Sequence, residues 1–317
     1  MTFGQLTQTL LTERNNYKLI FDSLHALHEF YSSVTGVSAE QTTDNNIYLP
    51  TGKAISPGQA AHCLLDVKRT TTFLRGVTKA VQQLQRSFPN EPIHILYAGC
   101  GPYATLLTPL TTLFSPQEVR FHLVDVHKES LAAVRALYEK LDATAYLEEM
   151  ICADASEYKM SGKMHLVITE ALQKALQREP QVSMVLNLVP QMEEGTVFIP
   201  QEIRVSGWLL DREQEMLGYM PDAPIPERVP LGEVCTIGQD RAVPPQPVSL
   251  PIPKEVGSHN EFYLLTDIKV FEDEVLGIND CGLTLPHKVA DVGPYRGKTA
   301  KLEYIIGADP GFKISFE

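Results

Sequence analysis

The stretch ILYAGCGPYATL at residues 95–106 decides the fold class. An apolar run leads directly into Gly99 and Gly101, a pattern typical of a strand that enters a tight turn before a helix. Glycines at such a turn permit positive φ angles and let the backbone approach a ligand closely. The stretch lacks the third glycine of a complete dinucleotide fingerprint. The turn therefore predicts a ligand site without a pyrophosphate cradle, and an ordinary glycine turn is the alternative.

Four short apolar runs, of which the first leads into this turn, alternate with helical stretches. They are IHILYA, RFHLVDV, MICADA and MHLVITE, at residues 93–98, 120–126, 150–155 and 164–170. Strands that alternate with helices pair in parallel through crossover helices, and such α/β layers bind ligands at the carboxyl ends of their strands. The pattern predicts a Rossmann-like α/β core with its ligand over the glycine turn.

The regions on either side of this core have different patterns. Apolar residues recur at helical spacing over residues 3–31, a polar segment follows over residues 32–58, and Ser56 and Pro57 begin a second helical stretch that runs to Phe88. Beyond residue 195, runs such as NEFYLLTDIKVF and TAKLEYIIG predict strands and turns. We expect a helical region at 1–90, a Rossmann-like domain at 91–200 and an antiparallel β domain at 201–317.

Composition narrows the class of protein. The chain has 317 residues, 44% of them hydrophobic and 21% charged, and its formal net charge is -12. Nucleic-acid binders usually carry a basic face, so this balance argues against nucleic acid and favours a cationic or zwitterionic substrate. The five cysteines show no CxxC spacing, which favours a reducing compartment and predicts no metal site. With no signal peptide and no apolar segment of about eighteen residues, we expect a cytoplasmic protein without membrane contact.

Two acidic residues follow the next strands of the core. Asp125 lies at the end of the second apolar run, where a carboxylate can accept hydrogen bonds from ribose hydroxyls. Asp154 follows the third run, within reach of an adenine amine, although a strand-end acid can also serve as a helix N-cap. His127 flanks the end of the second run and is either a cofactor neighbour or a surface or core residue. Together these positions predict an adenosine site without a diphosphate-binding loop.

The segments ILYAGCGPY, LVDV, CADA and LVITE resemble the successive motifs of class I S-adenosylmethionine-dependent methyltransferases. Within that class the chain is similar to the protein arginine methyltransferases, over residues 62–209. The resemblance implies S-adenosyl-L-methionine as the cofactor, a helical region that covers it, a barrel-like β domain for substrate binding and dimerisation, and a homodimer. The implied cofactor-binding residues are Arg69, Tyr97, Gly99, Gly101, Pro102, Asp125 and Asp154.

Three of the implied roles have clear chemical reasons. Arg69 matches an arginine that holds the carboxylate of the cofactor as a bidentate guanidinium pair, and a solvated helix charge is the alternative. Glu170 and Glu179 match a pair of catalytic glutamates, nine positions apart, in the loop after the fourth strand. Two carboxylates that converge on one guanidinium orient it and bias its positive charge away from the attacking nitrogen.

The resemblance is weaker on the substrate side. Ala171 and Leu172 replace a Met-Gly pair, Tyr97 replaces an acid of the first strand, and no Thr-His-Trp segment occurs. We therefore expect an S-adenosylmethionine-dependent N-methyltransferase that acts on a guanidino or amino nitrogen of a small molecule. The alternatives are methylation of a protein arginine, a catalytically silent relative that binds the cofactor or a partner protein, and an oxidoreductase, which the broken pyrophosphate fingerprint disfavours.

Overall fold

The computed structural model describes residues 1–41, 45–218, 220 and 223–317. The amino-terminal region consists of four helices and a short β-hairpin. Their bounds are α1 (Phe3–Thr12), α2 (Tyr17–Thr35), β1 (Ile47–Leu49), β2 (Gly52–Ala54), α3 (Pro57–Cys63) and α4 (Val67–Ser87). The helical spacing over residues 3–31 thus corresponds to two helices.

Local capping explains where α3 and α4 begin. The Ser56 side chain accepts a hydrogen bond from the helix backbone, and Pro57 occupies the first turn of α3, as the sequence predicts. The helical stretch is nevertheless not continuous to Phe88, because the Asp66 side chain accepts a hydrogen bond from Arg69 N and caps a new helix. The polar segment before α3 also contains the hairpin β1–β2, whose three-residue strands are too short for a recognisable pattern.

A five-stranded parallel sheet forms the core. Its strand order is β5-β4-β3-β6-β7, so β3 lies where the winding of the chain changes direction. The carboxyl ends of β3, β4 and β6 therefore meet at a topological switch point, where α/β sheets bind ligands. The elements of this core are β3 (Ile93–Ala98), β4 (Val119–Asp125), α5 (Lys128–Lys140), β5 (Leu147–Cys152), β6 (Leu166–Thr169), α6 (Gln181–Leu188) and β7 (Val197–Ile199).

Two antiparallel sheets form the carboxyl-terminal region. One has the order β12-β11-β8-β9, with β13 also paired to β11, and the other has the order β10-β14-β15. They pack closely at Gly207, where an added Cβ atom would lie 2.5 Å from Leu250 Cδ1. The elements are β8 (Glu202–Leu210), α7 (Arg212–Leu217), β9 (Arg228–Gly238), β10 (Val248–Pro251), β11 (Glu261–Phe271), β12 (Glu274–Leu276), β13 (His287–Asp291), β14 (Thr299–Ile305) and β15 (Gly311–Phe316).

The amino-terminal helices contact the carboxyl-terminal strands directly. Gly76 of α4 lies so close to β11 that an added Cβ atom would be 2.6 Å from Val270 Cγ1. Glu274 of β12 is buried and forms ion pairs with Arg14 at 2.6 Å and with Lys79 at 2.7 Å. These contacts hold α4 and the segment after α1 against the second half of the chain.

The predicted fold class, a Rossmann-like core with an amino-terminal helical region and a carboxyl-terminal antiparallel β region, is confirmed. The division at residues 90 and 200 stays a proposal; both boundaries fall in short connections, before β3 and after β7. Within the described ranges, every helix falls short of the length and apolar character that crossing a membrane requires.

Candidate active site

A cavity opens at the carboxyl ends of β3, β4 and β6, and residues of α3 and α4 form part of its wall. Its space, including the part open to solvent, is about 950 Å³. The structure brings all nine site residues predicted from the sequence to this one cavity. They are Arg69, Tyr97, Gly99, Gly101, Pro102, Asp125, Asp154, Glu170 and Glu179.

The glycine turn after β3 has the backbone conformation that its sequence predicts. Gly99 and Gly101 have φ angles of 76° and 63°, in the left-handed region that favours glycine. Gly99 N donates a 2.7 Å hydrogen bond to Val124 O, and Gly101 N donates a 2.8 Å bond to Asp125 Oδ2. The turn is therefore fixed to the end of the neighbouring strand β4.

Tyr103, two residues after Gly101, is fully buried against the amino-terminal region. Its hydroxyl donates a 2.5 Å hydrogen bond to Val37 O, and its ring lies 5.2 Å from the ring of Tyr31. The Tyr103 side chain thus attaches the segment after α2 to the glycine turn.

The carboxylates of the two strand-end acids, Asp125 and Asp154, accept hydrogen bonds from different groups. Asp125 is buried, which raises its pKa, and its carboxylate accepts hydrogen bonds from Gly101 N and His127 N, each at 2.8 Å. Each carboxylate oxygen can accept a further bond, so acceptor capacity remains for a ligand. Asp154 Oδ1 accepts from the Ser156 backbone and hydroxyl at 2.8 and 2.7 Å. Asp154 therefore stabilises a local turn while it also lines the cavity.

Arg69 and Glu170 form an ion pair inside the cavity. Arg69 Nη2 lies 2.5 Å from Glu170 Oε1, and the two side chains are 13% and 11% exposed, so a solvated helix charge does not describe Arg69. Burial disfavours the charge of Arg69, but the acidic groups around it outweigh this and raise its pKa. Burial also raises the pKa of Glu170, and the Arg69 charge opposes that shift. Tyr97 is buried beside this pair, and burial together with the Glu170 charge raises its pKa.

The loop between the two glutamates has an unusual backbone. Ala175, Leu176 and Arg178 have φ angles of 54°, 54° and 63°, which residues with side chains rarely adopt. Such conformations persist when the surroundings hold them in place.

Three contacts from distant parts of the chain hold this loop. Thr266 Oγ1 of β11 accepts a 2.9 Å hydrogen bond from Ala175 N. The Tyr304 hydroxyl of β14 donates a 2.7 Å hydrogen bond to Leu176 O. From the other side, Lys53 N of β2 donates a 2.7 Å bond to Arg178 O. Sheets from both ends of the chain therefore determine where the second glutamate lies.

Glu179 is buried at the end of this loop. Burial raises the pKa of Glu179 to about 7, against the opposing effects of the Arg69 charge and a hydrogen bond from Gln173. Within the described part of the chain Glu179 forms no ion pair of its own at contact distance. This part of the cavity therefore contains the carboxyl groups of both glutamates and one guanidinium that is already paired with one of them.

Two features of the site, the packing of the hairpin and the place of Ser130, escape prediction from the sequence, whereas the place of His127 is one of the two alternatives that the sequence allows. An added Cβ atom at Gly52 of the hairpin would lie 2.9 Å from Arg178 O and Pro180 N, so the hairpin packs tightly on the glutamate loop. The PTG turn in the sequence is the only signal for it. His127 and Ser130 also line the cavity. Their sequence signal is their place directly after the strand-end acid. No cluster of metal-ligating side chains occurs among the residues that the structure describes.

A parallel sheet in this order, with a glycine turn after its first strand and an acid after the second, is the doubly wound architecture that binds nucleotide-containing ligands at its switch point. Two solved structures narrow the likeness. Trypanosoma brucei PRMT1, in an enzyme-prozyme heterotetrameric complex with AdoHcy, is 12% identical; the match covers 83% of this chain and 93% of that one, with a TM-score of 0.56. Arabidopsis thaliana protein arginine methyltransferase 10, in an open conformation, is also 12% identical, with 80% and 88% covered and a TM-score of 0.51.

The chain thus resembles the protein arginine methyltransferases in its fold, as the sequence motifs predict. The match extends beyond residues 62–209 to most of the chain. No protein-family model matches the sequence, and no curated protein matches it.

Proposed function

We propose that the protein is an S-adenosylmethionine-dependent N-methyltransferase whose acceptor nitrogen belongs to a guanidino group. One observation carries the proposal: Glu170 and Glu179 are both shielded from solvent and line one cavity, with Arg69 paired to the first of them. A buried carboxylate is costly unless a positive charge accompanies it. A guanidinium acceptor supplies the second positive charge and can donate planar hydrogen bonds to both carboxylates.

The residues of the cavity fit S-adenosylmethionine. Arg69 offers guanidinium donors for a carboxylate, and Asp125 retains acceptor capacity for ribose hydroxyls beside the Gly101 turn. Bound there, the cofactor supplies an electrophilic methyl group for direct displacement by the acceptor nitrogen. AdoHcy in the Trypanosoma brucei PRMT1 complex supports the same cofactor class for this fold.

The two glutamates are suited to different tasks. The ion pair with Arg69 favours the carboxylate form of Glu170, which can then accept N–H bonds and orient the acceptor. Glu179 has its pKa raised to about 7 by burial, and a base is most effective when its pKa lies near the working pH. We therefore assign orientation to Glu170 and proton removal to Glu179.

Label transfer from methyl-labelled S-adenosylmethionine tests the reaction. We expect transfer to a guanidino nitrogen, and we expect Glu170→Gln and Glu179→Gln to abolish turnover while S-adenosylhomocysteine still binds. Glu194→Gln, at an exposed carboxylate, is the matched control and should retain turnover. Transfer only to a phenol or a carboxylate would overturn the guanidino assignment. Cofactor binding without turnover on any acceptor would instead favour a catalytically silent relative.

Two classes of acceptor remain open within this proposal. The missing Met-Gly and Thr-His-Trp segments and the acidic net charge favour a small guanidino compound. The two structural neighbours are protein arginine methyltransferases, which supports a protein arginine at least as well. Parallel assays with free arginine, agmatine and arginine-containing peptides compare kcat/KM directly. The acceptor class with the larger kcat/KM is the substrate class.

A homodimer in the cytoplasm is part of the same proposal. After β8, the side chains of Met216, Leu217, Met220 and Ile225 are exposed, and neighbouring exposed apolar side chains are a feature of protein interfaces. Sedimentation analysis should give a dimer for the wild type and a monomer for Leu217→Glu. A monomeric wild type would contradict this part of the proposal.

A further inference from the structure

The first turn of α5 contributes two polar side chains to the wall of the cavity. His127 immediately precedes the helix and is 9% exposed, and Ser130 lies in its first turn and is 1% exposed. Both line the same cavity as Asp125 and Glu170. His127 is the N-cap of α5 and Ser130 its third residue, and these two positions adjoin at the start of a helix, so both side chains lie in the same part of the cavity wall.

One buried side-chain atom of each residue lacks a hydrogen-bond partner within the described part of the chain. His127 Nε2 and Ser130 Oγ are both buried and unpaired. The His127 side chain does not cap α5 either, because no side-chain hydrogen bond caps this helix. Buried polar atoms in folded proteins are nearly always paired, and an unpaired one costs free energy. Two such atoms in the wall of one cavity indicate a ligand that supplies their partners.

The place of this pair in the cavity indicates which part of the ligand it meets. The charged residues Arg69, Glu170 and Glu179 come from α4 and from the loop after β6. His127 and Ser130 follow Asp125 at the end of β4, in the part of the cavity where a carboxylate is available for ribose hydroxyls. The pair therefore lies next to the sugar and base, away from the charged group that Arg69 would bind.

We infer that His127 and Ser130 bind the ribose and purine half of the cofactor and set the preference of the cavity for an intact nucleoside. The inference rests on the proposed function, since it takes S-adenosylmethionine as the ligand. The chemistry matches: the second imidazole nitrogen donates or accepts according to its tautomer, and the serine hydroxyl does both. The hydroxyls and ring nitrogens of a purine nucleoside offer both kinds of partner.

Titration calorimetry with two ligands tests the inference. S-Adenosylhomocysteine contains both halves of the cofactor, and 5′-methylthioadenosine contains the nucleoside without the amino-acid group. We expect Ser130→Ala and His127→Phe each to weaken both ligands by about tenfold, the effect of one lost hydrogen bond. Arg69→Lys should weaken S-adenosylhomocysteine and leave 5′-methylthioadenosine within about twofold of the wild type.

Thr7→Val is the matched control, because Thr7 Oγ1 is also buried without a partner but lies in α1, outside the cavity wall. Its affinity for both ligands should equal that of the wild type. Thermal unfolding of each variant without ligand separates misfolding from lost binding, and Ser130→Ala removes only an unpaired hydroxyl.

Three outcomes decide the question. Wild-type affinity in both Ser130→Ala and His127→Phe would overturn the inference and leave the proposed function intact. If Ser130→Ala and His127→Phe weakened S-adenosylhomocysteine but bound 5′-methylthioadenosine as the wild type does, the inference would also be overturned. The two side chains would then bind the amino-acid half of the cofactor. A wild-type protein that binds neither ligand would refute the proposed cofactor, and the inference with it.

Discussion

Replacement of Glu179 by glutamine tests whether the site contains a buried proton acceptor, because glutamine keeps the shape of the side chain and removes its charge. Burial raises the pKa of Glu179 from 4.5 to about 7. In the unfolded chain the pKa returns to its ordinary value, so the folded protein binds more protons between these two pH values. The stability contributed by this group is therefore complete below the unfolded pKa and is lost as the pH rises through the folded one.

The size of the effect follows from the shift. A shift of about 2.5 units corresponds to about 3.4 kcal/mol over the whole pH range. About 1.4 kcal/mol of this is lost between about pH 6 and pH 8.5, where the unfolded carboxyl is already ionised. Because glutamine cannot ionise, the free energy of unfolding of the variant does not include this loss. We expect the free energy of unfolding of Glu179→Gln, relative to the wild type, to increase by about 1.4 kcal/mol across that range.

Urea unfolding at several pH values measures this difference. The range chosen lies above the isoelectric point of about 5.3, where net charge limits aggregation. The single tryptophan, Trp208, provides a fluorescence signal. Glu194→Gln, which removes an exposed carboxylate, controls for the loss of one negative charge. A constant difference between Glu179→Gln and the wild type across this range would refute the reasoning, since the carboxyl would then ionise equally in both states.

Three further substitutions probe the cavity. Arg69→Lys should weaken S-adenosylhomocysteine binding by about tenfold, because lysine cannot make a bidentate contact with a carboxylate; unchanged affinity in calorimetry would contradict the assigned role. Gly52→Ala should lower kcat without changing cofactor affinity, because the added Cβ atom would lie 2.9 Å from backbone atoms of Arg178 and Pro180. A wild-type kcat would show that the hairpin does not position the loop between the two glutamates. Tyr103→Gly should destabilise the protein by about 4 kcal/mol through loss of a large buried side chain, as measured by urea unfolding; a loss below about 1 kcal/mol would be contrary to its buried role.

The parallel core could be predicted because its strands are short apolar runs and its turn carries Gly99 and Gly101. The carboxyl ends of parallel strands meet at one edge, so the order of the runs along the chain was enough to place Asp125 and Glu170 near each other. Tyr103 shows the limit of that reasoning. A motif records that a glycine is missing, but only the fold reveals that the Tyr103 side chain in the same turn reaches Val37.

The position of Glu179 depends on contacts that no local pattern records. Its loop adopts positive φ angles at residues with side chains, and it is held by a hairpin whose strands are three residues long. Such conformations come from tertiary packing rather than from propensity. The unpaired state of His127 and Ser130 is likewise a property of the assembled cavity, because residue identity alone does not reveal a missing partner.

The distant contacts of the glutamate loop also bear on the order in which the site forms during folding. Ala175 and Thr266 are 91 positions apart, and Leu176 and Tyr304 are 128 positions apart. Contacts between such distant residues require closure of long chain segments, which slows their formation. The glycine turn and Asp125 lie at the ends of two adjacent parallel strands, and Gly101 and Asp125 are 24 positions apart, so a much shorter chain segment has to close. A refolding chain should therefore regain its affinity for a nucleoside earlier than its turnover, and turnover reports that the last β strands have docked.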